Sequence, residues 1–283
     1  MHLEQLKILV EKARSGGMRD DYIINLIKEY LQVRILDYIY NNKKYNNKLI
    51  FTGGTCLRYC FDLPRLSEDL DFDYEGKFQI TSLQQDLDKF FRESLKIDCD
   101  SAIKGKGEKL YLKFPILKDL GIAFGRSDIL YVKVEPSPVP VAPKKIEITP
   151  INREGLYFFV KRYSLEDLMC GKIHAFLTRS FYQGKKNEID FKGRDVFDLI
   201  WYMGKNIIPD WERLHELLAG TEYFKYDWRG ILDKIGEKLK KLKSEHLAAD
   251  LRQFIQDHTI LEQFLNNYIQ IYIQYTETVG LKG

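Results

Sequence analysis

Two short motifs combine residue types that can bind phosphate and a metal ion. Gly53-Gly54-Thr55 follows the apolar segment 48–52, and Asp69-Leu70-Asp71 comes fourteen residues after Thr55. Two glycines permit a tight turn with positive φ, and the N–H groups at the start of a following helix attract an anion. Asp69 and Asp71 stand at positions i and i+2 of a predicted strand, so both project from one face. Because Mg²⁺ prefers carboxylates together with substrate phosphate oxygens, the pair of motifs predicts a metal–nucleotide site.

Glu135 is the candidate for a third carboxylate at this site. In-line nucleotidyl transfer with two metal ions uses carboxylates that contact both ions and a further carboxylate close by. The alternating segment 130–135 predicts a strand that ends at Glu135. A helix and a hairpin separate it from the aspartate pair, which allows the strand to lie beside them. A glutamate at a strand end before a proline-rich turn is an equally good interpretation, so both stay open.

A second cluster of charged residues lies in the helical half of the chain. Lys172 stands between the small residues Gly171 and Ala175, and Arg194-Asp195 begins a later predicted helix. A lysine among small, closely packed residues suits a role as a point charge on a triphosphate, with Arg194 and Asp195 orienting it or contacting the nucleotide. The alternative is a buried Lys172–Asp195 ion pair with a purely structural role.

Basic residues near the second cluster favour a nucleic-acid acceptor slightly. Lys185, Lys186, Lys192 and Arg194 could pair with the phosphates of a polynucleotide backbone. The net charge of the whole chain is only +3, which neither requires nor excludes nucleic acid.

Composition and length predict a cytoplasmic globular protein. The chain has 283 residues, 45% hydrophobic and 30% charged, which is enough for two domains or for one domain with a large helical extension. The N-terminus lacks the apolar region of a signal peptide. No apolar run approaches the length of a membrane span, so we expect no membrane association.

Hydrophobic periodicity predicts an α+β fold. Helices are expected near residues 3–14, 20–42, 56–61 and 80–96, and strands over 48–52, 66–74, 97–104, 109–114, 130–135, 145–149 and 156–163. From Ser164, which is a predicted N-cap, the pattern becomes helical, with further helices near 193–205, 211–219, 227–242, 244–256 and 259–277.

The assembled motifs resemble those of the AbiEii/MenT family of nucleotidyltransferase toxins. The resemblance rests on Phe51-Thr-Gly-Gly-Thr-Cys-Leu-Arg58, on the segment 63–72 that contains the aspartate pair, and on the later segments 168–175 and 193–198. It covers roughly residues 45–205. The family combines a DNA-polymerase-β-like nucleotidyltransferase core of mixed sheet with a C-terminal helical domain. Some members transfer nucleotides to the 3′ end of tRNA as toxins of type IV toxin–antitoxin or abortive-infection systems.

The resemblance assigns roles to particular residues. It implies that the turn Gly53–Thr55 holds the nucleotide phosphates and that Asp69 and Asp71 hold Mg²⁺. It implies that Lys172 and Asp195 are essential. The Arg-x-Ser that precedes the metal pair, Arg65 and Ser67, matches the family pattern and is expected to brace the turn. The family shows no clear pattern for a third carboxylate, so Glu135 depends on the residue-level argument alone.

Together these observations predict a nucleotidyltransferase core over residues 1–160 and a helical domain over 161–283, with the active site between them. The expected reaction is Mg²⁺-dependent transfer of NMP from an NTP to an acceptor, the tRNA 3′ end, by a toxin with a cognate antitoxin. Two alternatives stay open: a nucleotide-binding regulatory module without turnover, and nucleotidyl transfer to a protein or a small molecule. The sequence does not identify the NTP.

Overall fold

The computed structural model describes residues 2–105, 108–122, 128–143, 145–179, 181–183, 187–189 and 191–279. The chain divides into two compact units. Unit 1 comprises Met1–Val139 and Glu147–Arg162, and unit 2 comprises Pro140–Ile146 and Tyr163–Gly283. The fold is α+β, with a mixed seven-stranded sheet, which confirms the predicted class. The division into domains after residue 160 stays a prediction.

The described residues of unit 1 form four α-helices and nearly all of the seven-stranded sheet. The helices are α1 (His2–Ser15), α2 (Asp20–Asn41), α3 (Gly53–Phe61) and α4 (Ile80–Lys89), and a π-helical turn, Phe90–Ser94, continues α4. The strands are β1 (Leu49–Thr52), β2 (Asp69–Tyr74), β3 (Asp100–Lys104), β4 (Lys109–Pro115), β5 (Ile129–Pro138), β6 (Ile146–Arg153) and β7 (Leu156–Tyr163).

The sheet has the strand order β3-β4-β5-β2-β1-β7-β6. Strand β2 lies at its centre, antiparallel to β1 and parallel to β5. Strand β4 runs antiparallel to both β3 and β5. The central position of β2 places its aspartates between two neighbouring strands, and both neighbours contribute polar residues to the same face.

Apolar and polar side chains alternate along the strands, so the sheet has one apolar face and one polar face. Leu110, Leu112, Val132 and Val134 are fully buried or nearly so, whereas the residues between them are partly exposed. Since successive side chains of a strand point to opposite faces, this pattern buries one face of the sheet and leaves the other open. Helix α4 and its π-helical turn cover part of the apolar face. There the ring of Phe91 packs edge-on against the ring of Phe114 on β4, with 4.8 Å between the ring centres.

Unit 2 is mainly helical. Its helices are α5 (Leu165–Thr178), α6 (Gly193–Gly204), α7 (Trp211–Leu217), α8 (Trp228–Lys240), α9 (Ser244–Leu251) and α10 (His258–Val279), and a two-stranded sheet is formed by β8 (Phe181–Gln183) and β9 (Asn187–Ile189). The predicted N-cap at Ser164 is confirmed, because its hydroxyl accepts a hydrogen bond from the N–H of Asp167 at 3.2 Å. Among the described residues, no helix has the length and apolar character that crossing a bilayer requires.

Several element boundaries differ from the sequence-based prediction. Helix α3 was expected to begin at Cys56 but begins at Gly53, so the glycines form its first turn. Strand β2 begins at Asp69 rather than at residue 66, because the side-chain amide of Gln32 donates to the carbonyls of Ser67 and Glu68 at 3.1 and 2.9 Å. The β8–β9 hairpin was not predicted, since three-residue strands give no readable periodicity.

Candidate active site

The glycine turn joins β1 to α3 and is in close contact with the aspartate pair. Gly53 has φ +75°, a conformation that L-residues with a Cβ rarely adopt. A Cβ built on Gly53 would lie 2.8 Å from Cγ of Asp71, so only glycine leaves room for that carboxylate. The hydroxyl of the buried Thr55 donates to the backbone carbonyl of Asp69. These contacts attach the start of α3 directly to β2.

Arg65 and Ser67 pack against the other side of the turn. A Cβ on Gly54 would lie 2.7 Å from Nη2 of Arg65 and 3.2 Å from Oγ of Ser67. Both side chains are buried, and Nη1 of Arg65 donates to the carbonyl of Leu66 at 2.7 Å. The structure therefore places the Arg-x-Ser motif beside the second glycine. That Arg65 and Ser67 contact nucleotide stays a prediction.

The strand register brings the three predicted carboxylates onto one face of the sheet. Asp71 is paired with Thr52 on β1 and with Glu135 on β5. Asp69 is paired with a residue that the sequence analysis did not single out, Lys133. Residues paired in register on adjacent strands point to the same side. Glu135 is thus a direct neighbour of Asp71, as the interpretation of Glu135 as a third carboxylate requires.

Lys133 is the positive charge at the centre of this group. Its Nζ lies 2.8 Å from Oδ2 of Asp69 and 2.8 Å from Oε2 of Glu135. A second lysine, Lys109 on β4, places its Nζ 2.9 Å from Oε1 of Glu135. Burial opposes the ionisation of Glu135, but hydrogen bonds from both lysines outweigh it and hold its pKa below the usual value. Burial also disfavours charge on Lys133, yet its two carboxylate partners raise its pKa above the ordinary range.

The donor set fits a hard divalent cation. Carboxylate oxygens are the ligands that such ions prefer, and the lysine ammonium held between Asp69 and Glu135 shows that the position attracts a cation. Over the described part of the chain, no three His, Cys, Asp or Glu side chains converge closely enough to hold a metal unaided. That Asp69 and Asp71 hold a metal ion together with substrate phosphate oxygens stays a prediction. Glu135 as a metal ligand stays a prediction.

The second predicted cluster lies within unit 2 as a network of buried ion pairs. Nζ of Lys172 on α5 lies 3.0 Å from Oδ1 of Asp195 and 2.8 Å from Oδ2 of Asp198, both on α6. Arg179 pairs with the other oxygen of Asp195. The side chain of Lys172 is 13% exposed and that of Asp198 is fully buried. Burial disfavours the charged form of Asp195, but Lys172 and Arg179 outweigh it and lower its pKa.

Besides Arg179, the predicted site lacked a further member of this network, Asp198. It stands three residues after Asp195 on α6, and residues so spaced share one helix face, so the signal was present in the sequence. The network matches the interpretation of Lys172 and Asp195 as a buried ion pair. A direct contact between Lys172 and phosphate stays a prediction.

The other described basic residues of the predicted second cluster lie at the N-terminal end of α6. Arg194 lies at the start of α6, where its guanidinium stacks 4.5 Å from the ring centre of Phe254 and its backbone N–H donates to Asp250 at 3.2 Å. Lys192 is the residue that precedes α6. Lys185 and Lys186 lie outside the described residues.

The chain is similar to known nucleotidyltransferase toxins. Residues 34–267 match the family described as "Nucleotidyl transferase AbiEii toxin, Type IV TA system". The fold is similar to that of MenT4, a nucleotidyltransferase toxin from Mycobacterium tuberculosis, with a TM-score of 0.56, 13% identity, and coverage of 94% of this chain and 89% of that one. It is also similar to JHP933 from Helicobacter pylori, with a TM-score of 0.51, 16% identity, and coverage of 91% and 94%. No curated protein matches the chain.

Proposed function

Since the chain belongs to the AbiEii family of nucleotidyltransferase toxins, we propose that it transfers NMP from an NTP to the 3′ end of tRNA in a Mg²⁺-dependent reaction. The family belongs to type IV toxin–antitoxin systems, so the toxin role and a cognate antitoxin are part of this proposal. The observation that carries it is the contact between the Asp71 carboxylate and Gly53, which joins a carboxylate pair to a helix N-terminus.

The residues of unit 1 supply complementary functions for such a transfer. The first N–H groups of α3, from Gly53 to Thr55, have no partners within their own helix and are suited to phosphate oxygens. Asp69 and Asp71 would hold Mg²⁺, which supplies neutralisation of phosphate charge when bound. The acceptor hydroxyl oxygen forms a bond to the α-phosphorus, the bond from the α-phosphorus to the bridging oxygen breaks, pyrophosphate leaves and the hydroxyl proton is released.

The open face of the sheet supports an acceptor with exposed bases. Tyr111 on β4 is paired with Lys133 and therefore lies on the carboxylate face. Tyr131, two residues before Lys133 on β5, shares this face and is 42% exposed. Nζ of Lys104 on β3 lies 5.3 Å from the ring centre of Tyr111. Tyrosine rings can stack on bases and lysines can pair with backbone phosphates, as surfaces that bind single-stranded nucleic acid do.

The test is transfer of label from each α-labelled NTP to total tRNA in the presence of Mg²⁺. Wild-type protein is compared with Asp71→Asn and with Asp73→Asn, a control carboxylate two residues further along β2. Periodate-oxidised tRNA, which lacks the 3′-terminal diol, serves as the blocked acceptor. We expect labelling of intact tRNA by the wild type and by Asp73→Asn, and none by Asp71→Asn. Equal labelling of the oxidised tRNA would rule out the 3′ end, and label on protein alone would move the acceptor to another class.

A further inference from the structure

Lys133 occupies the position at which the carboxylate face would receive a cation. Its ammonium bridges Asp69 and Glu135, which stand on different strands, at 2.8 Å to each. The parallel register of β2 and β5 fixes this arrangement, because Lys133 is paired with Asp69 and Glu135 lies two residues further along the same face. The lysine and both carboxylates are largely sheltered, with side-chain exposures of 21%, 28% and 20%.

The formal charges show what Lys133 does for the group. Asp69 and Glu135 contribute two negative charges, and Lys109 and Lys133 contribute two positive charges, so the charges of these four paired side chains balance. Without Lys133 these side chains would carry one net negative charge, which favours a cation between Asp69 and Glu135. Both lysines contact Glu135, and Lys133 contacts Asp69 as well, so removing Lys109 leaves the pair between Lys133 and Asp69 in place.

We propose that Lys133 is a tethered counter-cation that competes with the divalent ion for Asp69 and Glu135 and so sets the metal affinity of the site. This inference rests on the proposed metal site at Asp69 and Asp71. Oδ2 of Asp69, which accepts from the ammonium, is one of the oxygens that an ion would use, and two cations at one carboxylate repel each other. When an ion occupies these oxygens, Lys133 would give up its contact with Asp69, and its flexible stem would carry a point charge suited to phosphate.

The test measures binding of Mn²⁺ to the full chain without nucleotide, from the loss of the electron paramagnetic resonance signal of free Mn²⁺. Lys133→Met and Lys133→Gln remove the charge, Lys133→Arg keeps it, and Lys109→Met is the matched control that leaves Asp69 paired. We expect a rise in Mn²⁺ affinity of at least tenfold for Lys133→Met and Lys133→Gln. Lys133→Arg should stay close to the wild type, and Lys109→Met should show a smaller rise.

Two outcomes would overturn the inference while sparing the metal site. One is affinity in the charge-removing variants that is equal to or lower than that of the wild type, and the other is an equal rise in Lys133→Arg. A variant with both Asp69→Asn and Asp71→Asn tests whether this pair of carboxylates binds the ion. If that variant binds Mn²⁺ as well as the wild type does, the proposed metal site itself fails, and the role of Lys133 fails with it.

Discussion

Replacing Gly53 with alanine tests whether the glycine turn exists to admit the Asp71 carboxylate. Two effects are expected, because Gly53 has φ +75° and its added Cβ would lie 2.8 Å from Cγ of Asp71. The backbone conformation alone costs about 1–2 kcal/mol for a residue with a Cβ. The second effect is displacement of the carboxylate, and it is specific to this site.

Gly155 provides a control with the same backbone conformation and no neighbour. It has φ +71°, and a Cβ built on it would have nothing within 4 Å. Gly155→Ala should therefore lose stability by the same ~1–2 kcal/mol without moving any site residue. The comparison separates backbone strain from displacement of Asp71 within one unit of the structure.

The size of the expected activity loss follows from the contact distance. Carbon atoms in ordinary contact are about 3.5–4.0 Å apart, so the Asp71 side chain must move by about 1 Å to accept a Cβ. A misplacement of that size in a site that positions reacting groups costs about 100-fold in rate. We expect Gly53→Ala to lose about 100-fold of its label transfer to tRNA and Gly155→Ala to keep its activity.

The assay pairs urea unfolding with the transfer rate at saturating NTP and Mg²⁺. Both variants should shift the unfolding midpoint by similar amounts while only Gly53→Ala loses rate. Full activity of Gly53→Ala, or an equal loss in Gly155→Ala, would refute the claim that the turn and the carboxylate form one site.

Three further substitutions test other parts of the structure. Lys172→Met should destabilise unit 2 by about 3–5 kcal/mol in urea unfolding, because it leaves the fully buried Asp198 without the ammonium group of Lys172. The double variant Lys172→Met/Asp198→Asn should recover part of the lost stability. A loss below ~1 kcal/mol in Lys172→Met would contradict the prediction. Because the pKa of Glu135 is lowered in the fold, its stabilising contribution is present above the unfolded pKa and lost as the pH falls through the folded pKa. As the pH is lowered below the unfolded pKa, wild-type stability should therefore fall more steeply than that of Glu135→Gln, and parallel curves would refute the effect. Ser164→Ala should cost about 1 kcal/mol by removing the N-cap bond to Asp167, whereas Ser164→Asp should retain most of the stability in the same measurement.

The elements near the site could be predicted from sequence because their signals are local. The apolar run before Gly53, the i, i+2 spacing of the aspartates and the alternation in β5 are each readable within a few residues. The N-cap at Ser164 is equally local. The edge strand β6 was predicted to end at residue 149, yet it continues through Pro150 to Arg153. Proline has no backbone N–H to donate. An edge strand tolerates this because the N–H groups on its outer side have no partner strand.

The charges that complete the site could not be predicted in this way. Lys133 became a partner of Asp69 only through the parallel pairing of β2 with β5, which joins residues more than sixty positions apart in sequence. Nothing local to the segment 130–135 distinguishes this lysine from a solvated one. The later start of strand β2, at Asp69, also depends on residues that are distant in sequence, because Gln32 on α2 donates hydrogen bonds to the segment before it. Asp198 is different, since its spacing from Asp195 was readable and was overlooked.

The most direct test of the central claim is the stoichiometry of the reaction with α-labelled NTP and tRNA. The wild type should release one pyrophosphate for each labelled nucleotide that joins the RNA. The Asp69→Asn/Asp71→Asn variant should do neither, while its free energy of unfolding stays within about 1 kcal/mol of the wild-type value. Equal labelling and pyrophosphate release by that folded variant would contradict the assignment of the site to the aspartate pair.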